Sequence, residues 1–67
     1  MNTEDNIDIF KEIALENLRY KRDQYTPNTR IRRECTCIIS EIIYSTDFDT
    51  IKKLTREGMN LPTPIYF

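Results

Sequence analysis

From Met1 to Glu57 the chain contains one proline, Pro27, and no glycine, so two long stretches on either side of it carry no residue that forbids a helix. In the first, Ile7, Phe10, Ala14 and Leu18 recur at three- and four-residue spacing, with Ile13 beside them. Glu12, Glu16 and Arg19 take the opposite face, which is the period of an amphipathic helix. Glu4, Asp5 and Asp8 suit the positive end of its dipole, and Lys21 and Arg22 suit the negative end. The spacing predicts a helix over 5–23. Residues 24–29 form the connector, with Thr26 or Asn28 as candidate caps and Pro27 at home in a first turn. Ile31, Cys35, Ile38, Ile39 and Ile42 then mark a second helix, 28–45, whose apolar arc Ile43 widens. The β-branched run from Thr36 to Thr46 argues for a strand. The paired isoleucines at 38/39 and 42/43 break strict alternation and decide for a helix. Thr46 to Asp49 reads as a capping box, opening a third helix over 47–57 with Phe48, Ile51 and Leu54 on one face. Gly58 reads as its left-handed stop, with Leu54 and Met59 in contact across it. Pro62 and Pro64 keep residues 60–67 from being helical, so that a tail is expected over 58–67. The expected architecture is all-α: a single, small three-helix domain over 1–67 with an extended, proline-containing C-terminal tail.

A chain of 67 residues buries only about 60% of its unfolded surface, so it folds alone only marginally. Disulfide or metal staples are not expected, because there are two cysteines, Cys35 and Cys37, and no histidine. A partner, either another protein or a second copy forming a homodimer, is the expected alternative. The N-terminus is acidic where a secretion signal would be basic, and no apolar run approaches the roughly 20 residues needed to cross a bilayer. These features predict a cytoplasmic, reducing setting and no membrane. Ten isoleucines, with no valine, tryptophan or histidine, suit an A+T-rich genome such as that of a virus or mobile element.

Catalytic chemistry finds few of its usual parts. On a helix, Cys35 and Cys37 point roughly 200° apart and cannot share an ion or a disulfide. Cys35 is expected in the core and Cys37 is incidental. Ser40 and Ser45 have no histidine base, and the single glycine forms no phosphate-cradling loop. The eleven carboxylates read as solvated helix faces. No enzyme activity, metal or cofactor is expected.

The net charge of −1 conceals a polarised chain. Residues 1–18 sum to −4, residues 19–33 to +5 and residues 34–67 to −2. Arg19, Lys21, Arg22, Tyr25, Arg30, Arg32 and Arg33 therefore form a candidate surface for an anionic partner, where Tyr20 and Tyr25 could stack on bases. Three of these arginines fall at a helix start, which the dipole disfavours. The competing reading is that they neutralise the acidic first helix. Ile39, Ile43, Ile65, Tyr66 and Phe67 form a candidate apolar partner surface. The function expected is a small, non-catalytic protein-binding module, such as a viral or mobile-element regulator or inhibitor of a host protein. The alternative is a nucleic-acid-binding accessory protein that uses residues 19–33.

The segment Thr46 to Asn60 resembles the second helix and turn of an ankyrin repeat, and Thr63-Pro64-Ile65 resembles the motif that opens one. It departs from that pattern at Thr46, where ankyrins carry glycine, and repeat arrays need about three units. Its Ile-x-x-Leu…Glu-Gly ending is similar to recognition helices of excisionase-like and MerR-like DNA binders, without their upstream alanine and glycine. Both likenesses are those of one capped helix, and no functional residue follows from them.

Overall fold

The computed structural model describes residues 3–62. They form three helices, α1 (Thr3–Gln24), α2 (Arg30–Tyr44) and α3 (Phe48–Met59), all of which pack against one another. No strand is present among the described residues, so the β-branched run of α2 is helical. At a rise of 1.5 Å per residue the helices are about 33, 22 and 18 Å long. Short connectors make successive helices antiparallel. Phe10 of α1 lies against Phe48 at the start of α3, with ring centroids 5.1 Å apart and planes at 45°. At the other end, Tyr25 Oη donates to the carbonyl of Pro62.

The core follows the predicted stripes. Leu18, Cys35, Ile42 and Ile51 are fully enclosed, with Ala14, Tyr25 and Ile39 nearly so. Ile7, Phe10, Leu15, Ile31, Ile38, Leu54 and Leu61 pack around them. Ile39, expected on a partner surface, is a core residue at 4% exposure, because its side of α2 meets the other two helices. Ile43, one turn on, is 42% exposed. Ile13, expected beside the core stripe of α1, is 55% exposed.

Local chemistry moves several predicted boundaries. α2 starts at Arg30 rather than 28, because Asn28 takes a left-handed φ of 67° and cannot continue a helix. Thr29 is the cap, its hydroxyl accepting from Arg32 N at 3.4 Å. In α3 the cap is Asp47 rather than Thr46. Its carboxylate accepts from Thr50 N at 3.1 Å and from the Thr50 hydroxyl at 2.7 Å.

Gly58 is not a left-handed stop. It lies inside α3 without a positive φ, and the helix runs on to Met59. Its smallness serves packing instead. A Cβ there would lie 2.6 Å from Leu18 Cδ2 and 3.4 Å from Ile38 Cγ2. Of the predicted tail, residues 58 and 59 are thus helical and Leu61 packs on the core. Ile65, Tyr66 and Phe67 lie outside the described residues. No described helix is long and apolar enough to cross a membrane.

Candidate partner-binding surface

The end of α1, the start of α2 and the end of α3 meet at one end of the bundle, and the predicted basic cluster lies there. The structure divides its members. Lys21 is turned inward, and its ammonium donates to the carbonyls of Gly58 (3.1 Å), Met59 (2.8 Å) and Leu61 (2.7 Å). It therefore caps α3 from a neighbouring helix. Tyr25 is buried, and burial, followed by the nearby Cys35, pushes its phenol pKa up. It offers no face for a base to stack on.

Arg32, half-buried, donates to Tyr25 O at 3.1 Å and lies 3.9 Å from Asp23, which also pairs with Arg22 at 3.2 Å. Arg30 pairs with Glu34 one turn on at 3.3 Å, and Arg33 reaches Asn28 O at 3.4 Å. None of these arginines is within salt-bridge distance of Asp8, Glu12 or Glu16, and the pairs they form lie at the end of α1 and the start of α2. Arg19, Arg30 and Arg33 face solvent, joined by Arg56 from the last turn of α3. Arg56 was not visible as a member of the cluster, since 22 residues of chain lie between it and Arg33.

A second lysine behaves as Lys21 does. Lys11 Nζ donates to Ile43 O at 2.9 Å and Ser45 O at 2.7 Å, capping α2, which has no base in its own last turn. A shallow cleft beside it is lined by Ile7, Asp8, Lys11, Ser45 and Thr46. With the lysine committed to carbonyls, that cleft offers Asp8 alone as a charged group. Cys35 donates its thiol to Leu18 O at 3.6 Å, and burial raises its pKa against the opposing pull of Lys21 and Arg22. Cys37 is exposed. No group of three or more potential metal ligands occurs among the described residues.

The surface that sequence reasoning missed lies on the solvent face of α1. Ile9, Ile13 and Tyr20 are 52%, 55% and 72% exposed. At 100° per residue they fall within about 40° of one another, forming a single line about 130° around the helix from the core stripe. The signal was available as a second apolar spacing, 9–13–20, interleaved with the first. Glu12 and Arg19, both exposed, flank the line on one side.

Comparison with protein-family models, curated proteins and solved structures finds no match for this chain. Fold and surface define it as a small three-helix domain with a closed core and an apolar line left on its longest helix.

Proposed function

We propose that this chain is a small, non-catalytic protein-binding module that acts by stoichiometric contact through the solvent face of α1. One observation carries the reading: three large apolar side chains share a line on a helix whose opposite face already completes the core. Fully burying such a side chain contributes roughly 1.5–3 kcal/mol, and tyrosine and arginine are the residues that most often dominate interface energetics. The small size and isoleucine-rich composition suit a regulator or inhibitor encoded by a virus or mobile element. In the test, Ile13→Asp is expected to remove partner binding while leaving far-UV helicity and melting temperature unchanged. Retained binding by a folded Ile13→Asp protein would refute the reading.

A second reading draws on the arginine-rich end. Arg19, Arg33 and Arg56 have no carboxylate within 4.0 Å among the described residues, an arrangement that suits phosphate. The burial of Tyr25 counts against it. We expect no micromolar binding to generic duplex or single-stranded nucleic acid at physiological salt. A gel shift whose affinity falls by roughly 0.9 log units per neutralised phosphate for each tenfold rise in salt, and which is lost on replacing Arg19 and Arg33 by glutamine, would favour nucleic acid instead.

A further inference from the structure

We infer that the partner of the α1 face is a second copy of this chain, docked antiparallel along α1. The inference rests on the protein-binding reading above and adds the identity of the partner. It follows from the symmetry of the line itself. Along α1 the exposed positions run Ile9, Ile13, Glu16, Tyr20, spaced by four, three and four residues. This is the alternation that lets two helices pack along a seam. The midpoint falls between Ile13 and Glu16. Reversing a second α1 about that point sets Ile9 against the partner's Tyr20, and Ile13 against the partner's Glu16. Both large apolar ends are then covered at once, twice over by the two-fold.

Charge selects the same orientation. Glu12 and Arg19 are seven residues apart, so they sit on one flank of the line about two turns from each other. In the reversed pair, Glu12 and the partner's Arg19 lie on the same side of the seam, about 3 Å apart along the axis. The symmetry makes two such pairs. The opposite flank carries the neutral amides Asn17 and Gln24. A parallel pair would instead set Glu12 against the partner's Asn17 and Arg19 against the partner's Gln24, with no ion pair in either place. Two mismatches make the association weak: Glu16, a carboxylate opposite Ile13, and Asp23, which continues the seam at the next position and meets the partner's Asn6.

The test needs no outside partner: sedimentation equilibrium of the pure chain up to about 1 mM, a range that detects weak complexes. The wild type is expected to rise from monomer towards dimer mass with concentration, and Ile13→Asp to weaken association at least about tenfold. Glu12→Arg and Arg19→Glu should each weaken it about threefold or more, while the double exchange should restore it to within about twofold. Glu16→Leu should tighten it about tenfold by removing the mismatch at Ile13. All four positions face solvent, so unchanged circular dichroism separates lost association from lost folding.

A wild type that stays monomeric throughout, single charge reversals without effect, or a double exchange that fails to rescue would each overturn the inference. A photo-crosslinker at Ile13 keeps this failure distinct from failure of the protein-binding reading. Its capture of a different protein by a monomeric chain would remove the second copy and leave the reading standing. Capture of nothing by a monomeric chain would remove both.

Discussion

At the scale of single residues, Gly58 shows how a position can be read correctly as special for the wrong reason. A lone glycine near a helix end suggests a left-handed stop, yet its backbone here is helical and its role is to admit Leu18. Two effects oppose each other in Gly58→Ala. Helix propensity favours alanine by up to about 1 kcal/mol, while overpacking a filled core costs about 1–3 kcal/mol. Leu18 is fully enclosed and has little room to yield, so we expect a net loss of about 1 kcal/mol in urea unfolding. In a Leu18→Ala background the same change should be neutral or stabilising, because the obstructing methyls are gone. A loss of equal size in both backgrounds would show that Leu18 is not the cause. Tyr25 teaches a similar lesson: an aromatic in a basic run suggests stacking, but burial in the connector makes it a core residue.

At the scale of helices, the ends of α2 and α3 are completed by side chains from elsewhere. Lys21→Met keeps the aliphatic stem but leaves three carbonyls without their ammonium. We expect this to cost about 1–2 kcal/mol in chemical denaturation, whereas an exposed lysine such as Lys52 replaced by methionine should cost little. The start of α3 predicts a pH response. Hydrogen bonds from Thr50 hold the Asp47 carboxyl below its ordinary pKa. Its stabilising contribution is therefore present above the ordinary value near 3.9 and disappears as pH falls through the lower folded value. Asp47→Asn still caps the helix but does not titrate there. The stability difference between wild type and Asp47→Asn should thus be constant above about pH 5 and shift against the wild type below about pH 4. A difference that stays flat down to pH 2 would mean that the carboxylate charge contributes nothing. The helices themselves were legible in the sequence, because periodic apolar residues and Pro27 are local signals. Their ends were less so, since the left-handed turn at Asn28, the interior glycine and the lysine caps depend on which helices become neighbours.

At the scale of the whole molecule, reversal of direction between helices sorts charge by end. The acids of the first half of α1 share an end with Asp47 and Asp49 at the start of α3, while the arginines gather at the other. The charge asymmetry was legible in the sequence, and so was most of the core, though not the burial of Ile39 and Tyr25. The exposed line on α1 was not recognised, because a helix with two apolar stripes first looks like a helix with one wide stripe. The lysine caps have a consequence for how the molecule opens. Lys11 and Lys21 reach from α1 to the last carbonyls of α2 and α3, so detaching α1 uncovers the core and releases both helix ends together. Native-state hydrogen exchange should therefore show the central amides of all three helices exchanging through one common opening, with similar free energies. A markedly lower opening energy for α2 or α3 alone would contradict this. A fragment containing only residues 30–62 should fail to fold, since it would lack both ammonium groups as well as the Leu18 side of its core.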